Sequence, residues 1–218
     1  TGTENTAVGT DALSATITGS YNTAVGRSAL LLTTGDHNTA VGRIALRTNS
    51  SGANNTALGS RSMYSNSSGD NNTAVGVNAL DANTTADNNT AVGYATLGAN
   101  TTGASNVAIG ALALDANTTA HNNTAVGYSS LGANTTGIGN VAVGLSALKA
   151  NTHANNNVAV GTQTLETNTS GTQNTALGNY ALNHNTTASN NLAVGYNTMN
   201  ANTTGASNVA LGQFSLDA

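Results

Sequence analysis

The chain has 218 residues, of which 6% are charged and 3% are aromatic, and it contains no Cys, Pro or Trp. About 25% of the residues of a typical soluble domain are charged, so this is not the composition of an ordinary globular domain. Five Lys and Arg in total are too few for binding to nucleic acid phosphates. The absence of Cys excludes disulfides and thiolate metal sites, and no apolar run is long enough to span a membrane.

A five-residue motif, Asn-Thr-Ala-Val-Gly with close variants, occurs 13 times between Asn5 and the end of the chain. The copies follow a 17-residue period, except that the interval between Asn22 and Asn38 is shorter by one residue. Ala always lies two residues before the motif Gly, and Leu or Met always lies four residues after it. Because several positions keep one register throughout, we expect a single continuous repeat domain over residues 1–218.

Each repeat has two short apolar patches, separated by Gly and followed by a loop rich in Asn and Thr. Gly, Asn and Thr are weak helix formers. We therefore predict an all-β fold, a parallel β-solenoid with two short strands in each 17-residue rung and about 13 rungs. The motif glycines are predicted to form a sharp bend between the two strands, where a positive φ or a close backbone approach excludes a side chain. They are Gly9, Gly26, Gly42, Gly59, Gly76, Gly93, Gly110, Gly127, Gly144, Gly161, Gly178, Gly195 and Gly212.

Strand alternation places the motif Val and the Thr two residues before it on one face of the first strand, with the intervening Ala on the other face. Five repeats have Val or Leu in place of the Thr, which favours an inward orientation for this row. The Ala row would then lie on the outer face. Since this row is Ala in every copy, we predict that it packs against another chain. A half-exposed face that merely tolerates Ala is the alternative.

The pattern Asn-Thr-Ala-Val-Gly-x-x-Ala-Leu, with its Thr-Thr-Gly loops, resembles the head repeats of trimeric autotransporter adhesins and similar repeats of phage tail fibres. The related Ser-Val-Ala-Ile-Gly theme of those heads is most closely matched at residues 106–110. The resemblance implies a left-handed parallel β-roll with three chains side by side, and an adhesive role on an extended fibre. The 17-residue period is longer than the usual head repeat, and the sequence shows no coiled-coil stalk and no membrane anchor.

No group of residues predicts a catalytic, cofactor or metal site. The nine carboxylates occupy varied positions of the repeat, and the four His residues are loop residues too far apart to share a metal. No Ser lies in a recognisable arrangement with His and Asp. We therefore expect a protein that is not an enzyme and that uses no cofactor.

Two sets of side chains remain candidates for ligand binding. The Arg residues of the N-terminal rungs could bind an acidic glycan, although a solubilising surface is the simpler interpretation. They are Arg27, Arg43, Arg47 and Arg61. Three Tyr residues directly follow a motif Gly and could stack on sugar rings, although packing over the neighbouring turn explains them as well. They are Tyr94, Tyr128 and Tyr196.

Thirteen Asn-x-Ser/Thr sequons occur, which any repeat rich in Asn and Thr would produce by composition alone. Nine of them share the loop position seven residues after the motif Gly and are candidate glycosylation sites. They are Asn49, Asn66, Asn83, Asn100, Asn117, Asn134, Asn168, Asn185 and Asn202. Four more precede the motif, at Asn54, Asn71, Asn88 and Asn122.

These features predict a structural fibre or adhesin-head segment that forms an extended surface filament and displays a binding surface. We expect a trimer or an end-to-end filament, located outside the cell, on its surface or on a virion fibre, with a host-surface or glycan receptor as partner. Neither end carries an atypical capping repeat, which favours a segment of a longer fibre. The alternatives are a ligand-binding solenoid such as an ice-binding protein, a heavily N-glycosylated extracellular filament, and a fibre enzyme that acts on polysaccharides.

Overall fold

The computed structural model describes residues 2–15 and 18–217. Its regular secondary structure in these residues is all-β and consists of three-residue strands, one in each repeat. The strands are β1 (Thr6–Val8), β2 (Thr23–Val25), β3 (Thr39–Val41), β4 (Thr56–Leu58), β5 (Thr73–Val75), β6 (Thr90–Val92), β7 (Val107–Ile109), β8 (Thr124–Val126), β9 (Val141–Val143), β10 (Val158–Val160), β11 (Thr175–Leu177), β12 (Leu192–Val194) and β13 (Val209–Leu211).

The chain divides into two compact units, unit 1 with residues 1–106 and unit 2 with residues 107–218. Unit 1 contains β1 to β6 and unit 2 contains β7 to β13. Within each unit, strands that are consecutive in the sequence are parallel neighbours, and the Ala of one strand is paired with the Ala of the next. The predicted parallel β-solenoid, with one rung for each repeat of the sequence, is therefore confirmed.

The single shorter interval leaves the strand register intact. Strands β2 and β3 pair Thr23 with Thr39 and Ala24 with Ala40, as in every other rung. The missing residue belongs to the loop, where the buried Thr33 occupies a position held by Asn in most rungs. Its hydroxyl oxygen accepts a hydrogen bond from the Asn49 side-chain amide at 3.2 Å. The loop therefore absorbs the difference in length.

The second apolar patch is not a strand, which corrects the prediction of two strands in each rung. The residues two and four positions after the motif Gly have positive φ, for example 58° at Asn78 and 54° at Leu80. A β-strand needs a continuous run of residues with negative, extended φ. The patch nevertheless bonds to both neighbouring rungs, since Leu80 N donates to Thr96 O at 2.9 Å and Asn78 N to Ser60 O at 3.1 Å. Turns therefore close each coil.

Five columns of side chains fill the interior of the coil. They are the strand Ala, a small residue three positions after the motif Gly, the Leu or Met that follows it, the motif Asn and the loop Asn. In the rung of β5 these residues are Ala74, Ala79, Leu80, Asn72 and Asn83, all with 0% exposure. The Leu and Met side chains are the largest wholly buried ones, so they supply most of the apolar burial.

The predicted faces of the first strand are reversed. The strand Ala is buried in β2 to β13, whereas the residues on either side of it are half-buried or exposed. The inward row is restricted to Ala because the narrow coil already contains the Leu and Asn columns, and a larger side chain would overpack it. The substitution of Thr by Val is therefore a change on the outer surface. The Ala row gives no support for packing against another chain.

The two Asn columns form ladders that satisfy buried backbone groups. Asn38 Oδ1 accepts the backbone N–H of Asn55 at 3.0 Å, and Asn66 Nδ2 donates to Asn49 Oδ1 at 2.7 Å. The two columns also meet at one carbonyl, because Asn38 Nδ2 and Asn49 Nδ2 donate to Gly52 O at 2.9 and 2.7 Å. A buried amide without partners would destabilise the fold, which explains why Asn recurs at these positions.

Candidate functional site

The motif glycines are structural residues of the turn. All 13 have positive φ, between 114° and 140°. A Cβ on Gly26, where φ is 131°, would lie 2.6 Å from the carbonyl oxygen of Gly42 on the next rung. Other residue types rarely adopt this conformation, and the stacked backbones leave no space for a side chain.

The loop sequons that we considered as glycosylation sites point into the coil. Eight of the nine Asn side chains are wholly buried, and that of Asn202 is half-buried. Their amide nitrogens belong to the inner ladder; Asn134 Nδ2, for example, donates to Asn117 Oδ1 at 3.1 Å. A sugar on this nitrogen does not fit inside the folded rung. The four sequons that precede the motif are exposed instead, at Asn54, Asn71, Asn88 and Asn122.

The His residues lie in loops and turns at the surface and take part in local contacts. Among residues 2–15 and 18–217, no group of three or more His, Asp or Glu side chains could hold a metal ion. His37 stacks on Tyr21 with ring centroids 4.8 Å apart, and His184 Nδ1 lies 3.0 Å from Asn200 Oδ1. These contacts belong to the surface of the loops and turns.

The outer surface of the strands is free of charge. We call the residues on either side of the strand Ala the strand face. It has one row of Thr, Val or Leu and a second row of Val, Leu or Ile, of which Ile109 and Leu58 are 41% and 46% exposed. In unit 1 all six residues of the first row are Thr, whereas in unit 2 five of seven are Val or Leu. Sequence analysis missed this surface because it assigned both rows to the interior.

Two of the Arg residues of unit 1, Arg47 and Arg61, contact the ring of Tyr64. Arg61 lies over the Tyr64 ring, with its guanidinium carbon 4.7 Å from the ring centroid, and is paired with Asp81 at 2.9 Å. Arg47 approaches the same ring at 5.9 Å and donates to the Tyr64 hydroxyl at 3.1 Å. The structure thus brings two of the four Arg residues considered for ligand binding together around one aromatic ring. Sequence analysis did not identify Tyr64 as their partner.

Unit 2 has an open groove of about 450 Å³, which sequence analysis did not identify. It is lined by Asp115, Gly132, Lys149 and Glu166, which occupy the same position, five residues after the motif Gly, on successive rungs. The missing side chain at Gly132 opens the groove. Burial raises the pKa of the Asp115 carboxyl above its ordinary value. A Gly within a column of longer side chains is the signal that could have revealed this groove.

The three Tyr residues that follow a motif Gly, which we considered for stacking on sugar rings, are all exposed. Tyr196 packs edge-to-face against Tyr180 and Phe214, with ring centroids 6.0 and 5.5 Å apart. Packing over neighbouring rungs therefore explains the position of Tyr196. Tyr94 and Tyr128 are 57% and 54% exposed to solvent.

No known family model matches the chain, and no curated protein or solved structure is significantly similar to it. The resemblance to adhesin heads and tail fibres therefore rests on the repeat pattern alone. No helix of sufficient length and hydrophobicity to cross a membrane occurs in residues 2–15 and 18–217.

Proposed function

We propose that the chain is a non-enzymatic structural segment of a fibre or adhesin head, in which three copies associate side by side and display a binding surface. The location outside the cell or on a virion, and the trimer itself, follow from the resemblance of the repeat to adhesin heads and tail fibres. The observation that carries the proposal is the strand face, a regular surface of Thr and aliphatic side chains on every rung.

The strand face supports association because it combines exposure with the absence of charge. Monomeric proteins rarely expose long contiguous apolar surfaces, and larger ones usually mark sites of protein contact. In unit 2 the rows of Val and Leu repeat at the rung spacing of about 4.8 Å, so a second copy of the chain meets the same spacing rung by rung. The sequence predicted that chains pack against one another through the Ala row. We now propose the outward Val and Leu rows for this contact instead.

Native mass spectrometry of the intact chain tests the proposal, which requires a mass three times that of one chain. The Ile109→Lys, Val160→Lys double variant places two charges on the strand face and should be monomeric, because a lysine buried in the contact would lack a partner. The matched control is Ile138→Lys, Leu145→Lys, which changes two similarly exposed side chains outside the strands. A monomeric wild-type chain would contradict the trimer, and equal dissociation of the two variants would contradict the strand face as its contact.

The proposal also requires that the chain turns over no glycan. Incubation with a panel of polysaccharides should release no shorter products. The appearance of such products, and their loss in a groove variant such as Glu166→Gln, would replace the structural role with an enzymatic one.

An ice-binding solenoid is the second candidate, because the Thr row of unit 1 lies on the outer surface. Thr23, Thr39, Thr73 and Thr90 are half-buried on a regular sheet, with a repeat of about 4.8 Å. A regular row of hydroxyl and methyl groups suits this function, although the aliphatic residues of unit 2 interrupt it. Measurement of thermal hysteresis decides between the two candidates, since a fibre segment requires none.

A further inference from the structure

Positive charge is concentrated in one part of unit 1. Four of the five Lys and Arg residues of the whole chain lie within residues 27–61, and the fifth is Lys149. This stretch spans only three rungs, those of β2, β3 and β4. In a chain that otherwise has almost no cations, such a concentration requires a physical explanation.

The backbone places these residues side by side on the turn segment of successive rungs. Ile44 N donates to Arg27 O at 2.9 Å, and Arg61 N donates to Arg43 O at 3.1 Å. Adjacent rungs are about 4.8 Å apart, so the side chains of Arg27 and Arg43 begin about 5 Å apart, and those of Arg27 and Arg61 about 10 Å apart. Arg27, Arg43 and Arg61 are exposed. Together with Arg47 they form what we call the arginine patch.

Tyr64 orders one half of the patch. Its ring packs against the guanidinium groups of Arg47 and Arg61, and its hydroxyl accepts a hydrogen bond from Arg47. Guanidinium groups that are stacked on an aromatic ring lose less conformational freedom when they bind an anion. The remaining N–H donors of Arg47 are thereby oriented before any ligand arrives, whereas Arg61 also donates to Asp81.

Of the six carboxylates in unit 1, only Asp81 forms a salt bridge with the patch in the residues that the structure describes. In the part of the chain that the structure describes, the pair between Arg61 and Asp81 is the only salt bridge. Asp36 and Asp70 accept backbone N–H groups of Ser20 and Ala53, each at 2.7 Å, on the opposite side of the motif. Arg27 and Arg43 therefore keep neighbouring positive charges without an acidic partner.

We propose that the arginine patch binds an acidic polysaccharide through its sulfate or carboxylate groups. Guanidinium forks bind such groups through two parallel hydrogen bonds. Four cations match a short acidic stretch of a glycan, whereas nucleic acid binding usually involves a larger basic surface. The inference rests on the proposed function, a segment that displays a binding surface. It names the class of ligand that this surface binds.

Titration calorimetry with a heparin oligosaccharide tests the inference, with the fully desulfated oligosaccharide and inorganic sulfate as comparison probes. The wild-type chain should bind the sulfated oligosaccharide, lose affinity as salt concentration rises, and bind neither comparison probe measurably. The Arg27→Gln, Arg43→Gln variant should bind at least about tenfold more weakly, because two charge-assisted contacts are lost. The matched control, Lys149→Gln in unit 2, should bind as the wild type does.

Four outcomes would overturn the inference. They are no binding of the sulfated oligosaccharide, equal binding of the desulfated form, equal losses in the patch and control variants, and equally tight binding of a single-stranded DNA of the same charge. Native mass measured on the same sample keeps the two proposals separate. A trimer that does not bind the oligosaccharide contradicts only the ligand, whereas a monomer that binds it contradicts only the assembly.

Discussion

The two units have interiors of the same composition but differ in their surfaces. Both have the same columns of Ala, Leu or Met and Asn inside each coil, with 0% exposure of Leu46 in unit 1 and of Leu131 in unit 2. Unit 1 has Thr along its strand face and all four Arg residues, whereas unit 2 has mostly aliphatic residues on that face and a groove over Gly132. The coil therefore constrains its inward positions and its turn glycines, so function must be sought among the other outward positions.

Truncation of the Leu column should produce the largest effect, and the same effect in both units. Leu46→Ala and Leu131→Ala should each lower the free energy of unfolding by about 2–5 kcal/mol, because each leaves a cavity in the narrow interior. Urea denaturation followed by circular dichroism measures this. The control is Leu145→Ala, at a side chain that is 48% exposed, which should cost less than about 0.5 kcal/mol. A large difference between the two core variants would show that the interiors are not equivalent.

The Asn ladders should give the next largest effect. Asn55→Ala in unit 1 and Asn140→Ala in unit 2 each remove the acceptor for the backbone N–H of the next motif Asn, which lies at 2.9 and 3.0 Å. Each should lower the free energy of unfolding by about 1–3 kcal/mol, since a buried donor is left without a partner. The control is Asn54→Gly, which removes an exposed side chain at a residue whose φ of 58° Gly adopts freely, and it should be close to neutral. Equal losses of stability in Asn55→Ala and Asn54→Gly would mean that the ladder is not a stabilising feature.

Exchange of the outer rows should change association while leaving the fold intact. Val141→Thr, Val158→Thr, Val209→Thr makes unit 2 resemble unit 1 and should weaken trimer formation at least about tenfold, because apolar contact area is lost. The reverse change, Thr39→Val, Thr56→Val, should strengthen it. Sedimentation equilibrium measures both. Unchanged association in the two variants would exclude the strand face as the contact.

The smallest expected effect concerns Asp115. Because burial raises the pKa of its carboxyl, the folded chain keeps the proton at pH values where the unfolded chain has lost it. This contribution to stability is fully present below the unfolded pKa and is lost as the pH rises through the folded pKa. Asp115→Asn should therefore gain stability relative to the wild type over that window, by a small amount because the carboxyl is only partly buried and well screened. Melting temperatures measured at several pH values test this, and a constant difference would contradict it.

The repeat register, the parallel coil and the positive φ of the motif Gly followed directly from the spacing of Gly26, Gly42 and their equivalents. The two faces of the strand did not, because alternation separates Val25 from Ala24 without indicating which side is inside. The replacement of Thr by Val in this row suggested that the row is buried. The coil is too narrow for it, because the Leu or Met column and the two Asn columns already fill the interior. The prediction of a second strand in each rung was wrong, because residues such as Leu80 have a left-handed backbone conformation that Leu rarely adopts.

The candidate surfaces were only partly predictable. The Arg residues could be selected from the sequence because cations are so rare in it, but their ordering by Tyr64 depends on contacts within and between rungs that the sequence does not display. The groove over Gly132 depends on the absence of a side chain in a column of four rungs. Such arrangements become visible only when the repeats are stacked in three dimensions.

The short loop before Asn38 has a practical consequence. Pairing of Thr23 with Thr39 persists although that loop lacks a residue, so the strands and not the corner segment set the alignment of the rungs. Protein engineers could exploit this independence by grafting peptides of different lengths at a chosen corner, one rung at a time. The chain would then serve as a molecular ruler on which short peptide epitopes are mounted at multiples of about 4.8 Å.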